Sequence, residues 1–257
     1  DKERRFQLAK HHTATHIINA AAKKVLGNHI NQAGAKKDID KATIDVTHYQ
    51  SITDEELQKI QDEANKLVQQ SIEVQSSFIP RTQAEQTYGM NIYQGGVVPG
   101  KVLRIVNIPD IDVEACGGTH LKNTHDAGKI SILKSTKISD GIVRIYFTAG
   151  EASKKEEKGK EKILDEATKL LGTDVAKLPK RVEELFLAWK KAKKAVAKKK
   201  SIDLKELELH SAEDFEGNIL DEVCKTLRTQ PEHVTKTLTR FLKELEEFKK
   251  KIENQNS

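Results

Sequence analysis

Four side chains able to ligate a soft metal ion fall into two short segments, HTATH at residues 12–16 and CGGTH at residues 116–120. On a helix, residues four apart stack on one face, so His12 and His16 present two imidazoles that can share one ion. His11 points about 100° away from His12, and its own partner four residues on is Thr15, a poor zinc ligand. In the second segment Gly117 and Gly118 let the chain turn tightly, so the Cys116 sulfur and the His120 imidazole can converge. One cysteine and three histidines supply four N/S donors, the number a tetrahedral zinc site takes. The expected cofactor is one Zn2+ per chain, held by His12, His16, Cys116 and His120.

HTATH lacks the glutamate of HExxH, so the usual helix-borne general base is absent. Two uses of the metal stay open. It orients a substrate while another hydroxyl or side chain assists water, or one ligand yields and the metal activates water directly. Cys116 as a covalent nucleophile is the weaker reading, because the histidines suit it better as a zinc thiolate. Thr13, Thr15 and Thr119, interleaved with the ligands, are expected to line a polar substrate pocket. Asp45, on a strand-like run, is expected to order a ligand imidazole, and His48 shares that weaker expectation. The run QGGVVPG at 94–100 reads as a lid or a surface loop. His29, His125, His210 and His233 have no metal-ligand partner at a useful spacing and are assigned no function.

Positioning these residues falls to a helix and a set of strands. RRFQLAKHHTATHIINAAAKKVLGNH carries apolar residues at helical period and stops at Gly27. ATIDVTHY alternates and is β-branched, which predicts a strand. TDEELQKIQDEANKLVQQ opens with Thr53 and Glu56, a capping box for a second helix. After Pro80, short β-like runs such as KVLRIVNI and KISILKSTKI alternate with glycine turns, and Ser139-Asp140-Gly141 predicts a hairpin. Helices packed on an antiparallel or mixed sheet make an α+β domain over residues 1–150.

Residues 151–257 shift to Lys, Glu, Leu and Ala with no strand-like run, predicting an all-α region. ILDEATKLLGTDVAKLPKRVEEL, starting at Ile163, recurs as ILDEVCKTLRTQPEHVTKTLTRF, starting at Ile219, a spacing of 56 residues. The tandem repeats near 163–200 and 219–256 therefore read as two helical hairpins. Their apolar stripes, including Trp189, Phe241 and Phe248, are expected to pack on each other or to pair chains into a homo-oligomer.

The whole chain carries a net charge of only +5 although 32% of its residues are charged. A polyanionic partner must then be met by local basic patches, such as the seven lysines between Lys190 and Lys200. No stretch of 18 apolar residues occurs and the first residues are charged, so neither a membrane span nor a signal peptide is read, and a cytoplasmic protein is expected. Two cysteines more than a hundred residues apart give no disulfide framework.

HHTATHIINAA, with NQAGA, IDVTHY, YQGGVVPG and DVEACGGTH, resembles the editing domain of alanyl-tRNA synthetases, the archaeal form in particular, and the free-standing AlaX editing proteins. The likeness covers residues 1 to about 150, and the charged helices after it resemble the region that follows editing in the archaeal synthetases. It implies the same four metal ligands, tRNA(Ala) as partner, and a pocket lined by Gln32 that acts with Cys116 in deacylation. Threonyl-type editing domains share the ligand pattern, but NQAGA and YQGGVVPG favour the alanyl type. No class II aminoacylation motif or ATP site precedes Asp1. A fragment, or a split subunit working with a separate aminoacylation subunit, is therefore expected. The chemical need for such a domain is plain. A pocket for alanine rejects serine or glycine only about 10- to 200-fold, so a second, hydrolytic sieve must remove the errors.

Overall fold

The computed structural model describes residues 1–94, 96, 98–211 and 213–256. The chain divides into two compact units, Asp1–Glu156 and Glu157–Ser257.

In the first unit the leading helix, α1 (Lys2–Leu26), starts where the Asp1 carboxylate accepts the Arg4 amide and stops at Gly27, whose φ of 116° few other residues adopt. Ala14, Ile17, Ile18 and Ala21 are fully buried, and burying each isoleucine contributes about 2 kcal/mol. They lie against a four-stranded antiparallel sheet of order β1-β2-β7-β6, formed by β1 (Gln32–Lys37), β2 (Ala42–Thr47), β6 (Ile130–Ser139) and β7 (Ile142–Ala149). Ile44, Val46, Val143, Ile145 and Phe147 supply the sheet's side of this core. The predicted hairpin joins β6 to β7, with Ser139 opposite Ile142 across Asp140 and Gly141. The second helix, α2 (Asp54–Gln69), carries the predicted capping box in full: Thr53 accepts the Glu56 amide and the Glu56 carboxylate accepts the Thr53 amide.

A second sheet has the order β3-β4-β5, from β3 (Gln75–Pro80), β4 (Val102–Ile108) and β5 (Asp112–Ala115). With α3 (Arg81–Tyr88) it encloses a small core of Ala84, Ile92, Leu103, Ile105 and Ala115. Of the 94–100 run, residues 95 and 97 lie outside the described residues. Its ends are held: the Gln94 side chain accepts the Gln32 amide at 2.8 Å, and Arg81 Nε donates to the Gly100 carbonyl at 2.9 Å.

The second unit is all helical, as composition predicts. Helix α4 (Glu151–Leu171) and α5 (Leu178–Lys198) make one copy of the repeat, α6 (Ile219–Leu227) and α7 (Val234–Asn256) the other, and α5 packs against both α6 and α7. The repeat is kept residue for residue in backbone conformation. Gly172, at φ 59°, ends the first helix of one copy, and Arg228, 56 residues on, ends the other at φ 52°. Short 3₁₀ turns follow at Val175–Lys177 and Pro231–His233. The apolar stripes close on each other: Trp189 stacks on Phe241 at 4.5 Å between ring centroids, and its indole N–H donates to Glu244 at 2.6 Å. Val182, Leu185, Leu238 and Leu245 are buried in the same core. The stripe is thus consumed within the unit, which removes it as a free face for pairing chains.

A left-handed conformation is costly for arginine and free for glycine. Arg228→Gly is therefore expected to stabilise the second unit by about 0.5–1 kcal/mol. Urea unfolding monitored by circular dichroism checks it, and an unchanged or lower midpoint would count against this account of the repeat.

Candidate metal centre

The four predicted ligands meet. His12 and His16 stand one turn apart on α1, while β5 runs beneath that helix and delivers the chain into Cys116 and the loop to His120. Leu121, just beyond, anchors the loop in the main core, and its amide donates to Thr13 Oγ1 of α1 at 3.1 Å. Cys116 Sγ lies 3.4 Å from His12 Nε2 and 3.3 Å from His120 Nε2, and all four donor atoms fall within 4.8 Å of one another. A tetrahedral ion with bonds of about 2.3 Å to sulfur and 2.0–2.1 Å to nitrogen separates S from N by about 3.5 Å. The donor set therefore fits one such ion in chemistry and in spacing.

Each imidazole is oriented from behind. The Nδ1–H of buried His16 donates to Asp112 at 2.7 Å, with Glu114 at 3.3 Å, which leaves Nε2 for a metal. Behind His120, Nδ1 meets Thr13 Oγ1 at 3.4 Å. At Cys116 and His120 the electrostatics run the same way. Burial raises the Cys116 thiol, but hydrogen bonds from His12, His120 and His16 outweigh it and bring its pKa down to about 3, a thiolate at neutral pH. Burial, with the charges of His16 and His12, holds His120 down at about 4, so its ring is neutral as a ligand must be. His16 runs the other way: burial lowers it, yet the Asp112 and Cys116 hydrogen bonds and the acidic neighbours prevail and raise it to about 10, so its ring is an imidazolium that must give up its Nε2 proton to take a metal. Glu114 is pushed up to about 8, foremost by burial.

Other expected residues fall elsewhere. Asp45 does not order a ligand: the alternation that buries Ile44 and Val46 turns it to the sheet's other face, where Arg144 grips it bidentately at 2.7 and 2.9 Å. His48 is buried, with its Nδ1 2.8 Å from His29 Nε2 and away from the centre. Thr15 is fully buried, its hydroxyl donating to the His11 carbonyl at 2.8 Å, so it lines no pocket. Thr13 is likewise buried and acts as the support of His120 just described rather than as a pocket wall. Thr119 is the exposed threonine at the centre's mouth, beside exposed Gly117. Gln32 begins β1, at the opposite end from Lys37 and about 16 Å from it at the usual strand rise. Its backbone amide donates to the Gln94 side chain at 2.8 Å.

Sequence reasoning missed four residues. Asp112 and Glu114 alternate with Val113 like any half-exposed strand, and nothing local says they face His16. Lys37 ends β1 where the Asp38 carbonyl accepts His11 Nδ1–H at 2.6 Å. Burial lowers the Lys37 ammonium, opposed by the charges of Cys116 and Glu114, and among the described residues it has no ion-pair partner. Arg104, on β4, donates from Nη1 to the Cys116 carbonyl at 2.7 Å and the Gly118 carbonyl at 2.8 Å.

Asp112→Asn removes the anionic acceptor behind His16 while sparing all four donors. Metal affinity is expected to fall about 10- to 100-fold, read by competition with a chromophoric chelator. Wild-type affinity would show that Asp112 is only a packing residue.

Residues 103–146 match the family described as the threonyl and alanyl tRNA synthetase second additional domain. The alanine–tRNA ligase of Methanococcus aeolicus is 46% identical over 223 residues, 87% of this chain and 24% of that protein. That of Pyrococcus abyssi is 42% identical over 245 residues, 92% of this chain and 27% of its own length. That of Methanobrevibacter smithii is 44% identical over 214 residues, 83% and 24%. The chain thus spans about a quarter of the length of the relatives it matches. With HTATH and CGGTH converging as they do, the chain is a relative of the archaeal alanine–tRNA ligases and carries the second additional domain of threonyl and alanyl tRNA synthetases.

Proposed function

We propose that this chain hydrolyses the ester of tRNA(Ala) wrongly charged with serine or glycine, as a segment or split subunit of an alanine–tRNA ligase. Residues 1–150 form the deacylase and 151–257 a helical extension. The observation that carries this reading is the convergence of His12, His16, Cys116 and His120 at zinc-compatible distances. Zinc bound there supplies a Lewis acid able to polarise a carbonyl or acidify a water.

The chain's own residues do the rest. Asp112 holds the proton on His16 Nδ1, so that Nε2 is the nitrogen that exchanges its proton for the metal. Thr13 likewise meets Nδ1 of His120. Lys37 places a cation beside the thiolate, suited to negative charge that develops on the ester carbonyl oxygen. Thr119, exposed two residues on from Gly117, can meet the hydroxyl of a seryl ester. Gln32, whose side chain has no protein hydrogen bond among the described residues, keeps that side-chain amide free for the bound amino acid. A tRNA substrate sets the protein in the cytoplasm. Among the described residues no helix is long and apolar enough to cross a membrane.

One observation favours a second reading. Four N/S donors complete a tetrahedral shell, as in structural zinc sites, and a non-catalytic tRNA-binding module would need no more. Purified protein presented with Ser-, Gly- and Ala-charged tRNA(Ala) separates the two. About one zinc per chain and catalytic release of serine and glycine, with alanine spared, is the expected result. A gel shift of tRNA without turnover would establish the binding module instead.

A further inference from the structure

The Cys116-Gly117-Gly118 segment packs through Gly118 against the His12 ring but has few backbone hydrogen bonds. It lies beyond β5, two of its three residues are glycines, and a Cβ on Gly117 would meet nothing within 4 Å. Its backbone partners come from one residue. The Cys116 amide donates to the Arg104 carbonyl at 3.0 Å, and the Arg104 guanidinium Nη1 donates to the Cys116 and Gly118 carbonyls at 2.7 and 2.8 Å. Both polar backbone groups of Cys116 thus end on Arg104, which stands on β4 between β3 and β5.

We propose that Arg104 is the positioning residue of the metal centre. It removes the freedom of the double-glycine turn, so that Cys116 Sγ waits at bonding distance before metal or substrate arrives. The inference rests on the metal-dependent reading above and adds to it the device that preorganises its only sulfur ligand. The physical case is one of entropy against charge. Two glycines give the turn more backbone states than any other pair of residues, each costing about 1–2 kcal/mol to fix. Charge-assisted hydrogen bonds from a rigid, always ionised guanidinium are the strongest neutral-pH means of fixing them, and a lysine ammonium cannot reproduce the two-carbonyl reach of one planar group. The arginine contacts carbonyls rather than the sulfur, so it acts through the backbone and not as a ligand.

The test compares wild type, Arg104→Met, Arg104→Lys, and Arg104→Met combined with Gly117→Ala, using zinc competition against a chelator and the Co(II)-substituted absorption spectrum. Gly117 has an ordinary negative-φ or extended backbone and open space around it, so alanine fits there and only stiffens the turn. Arg104→Met is expected to keep its circular dichroism and to bind one metal about 10- to 100-fold more weakly, with a weakened thiolate-to-cobalt band. Arg104→Lys should fall between. Gly117→Ala should recover a measurable part of the loss in the Arg104→Met background. Wild-type affinity and spectrum in Arg104→Met, or a loss that Gly117→Ala leaves untouched, would overturn the proposal. Wild type that binds no metal at all would instead overturn the metal-dependent reading on which it rests.

Discussion

Cys116→Ala is expected to abolish serine release from Ser-tRNA(Ala) while leaving tRNA affinity within a few fold. Structural zinc sites gain about 10–16 kcal/mol from four ligands, so the loss of one thiolate should weaken metal binding by about 100- to 1000-fold. The thiolate is also the group that the three imidazoles surround, its pKa held at about 3 by their hydrogen bonds. Alanine leaves three neutral or partly charged rings facing an empty corner. Contacts to tRNA phosphates come from lysines and arginines elsewhere and should persist. Metal content, deacylation and filter binding on the same preparation check this. If tRNA binding falls as far as hydrolysis does, the metal shapes the binding surface and the catalytic reading fails.

Gly118→Ala should do comparable damage without replacing any ligand. A Cβ built on Gly118 would lie 1.8 Å from His12 Cε1 and 2.3 Å from its Nδ1, where real contacts essentially never fall below 3.0 Å. One partner must move by more than 1 Å. The loop is pinned through the Gly118 carbonyl by Arg104, so the His12 ring gives way and one of the four donors leaves. A displacement of that size costs about 100-fold in a reacting geometry, and metal affinity should fall at least as much. Because the clash is confined to the metal loop and one imidazole, the thermal midpoint of the metal-free protein should shift by only a few degrees. Normal zinc content and normal turnover in Gly118→Ala would mean that the loop sits farther from α1 than described.

Elements whose signals are local were legible in advance. The four-residue spacing of His12 and His16 needs only the helical repeat. Thr53 with Glu56, and Asp140-Gly141 between β-like runs, are closed by neighbours in sequence. The helical repeat shows in the 56-residue recurrence because each copy solves the same packing problem with the same apolar positions. What escaped were elements too short or too mixed for any period. NQAGAKK became β1, with a bulge between Gln32 and Gly34 that breaks its alternation. Residues 112–115 became a four-residue strand, and residues 81–88 a two-turn helix after Pro80.

The four candidate donors were legible from local chemistry, since thiol and imidazole groups at such spacings suit a soft ion. Which carboxylate stands behind His16 was not. Asp45 and Asp112 look alike as strand aspartates, and only the folded sheets separate them. The parity of β2 turns Asp45 outward to Arg144, while β5, passing under α1, sets Asp112 2.7 Å from a ring 96 residues away. The same holds for Arg104, an ordinary cation in sequence that the fold aims at the Cys116 loop. Long-range pairing, which no local period encodes, determined the support of the centre, because a charge gains its role from the group it faces.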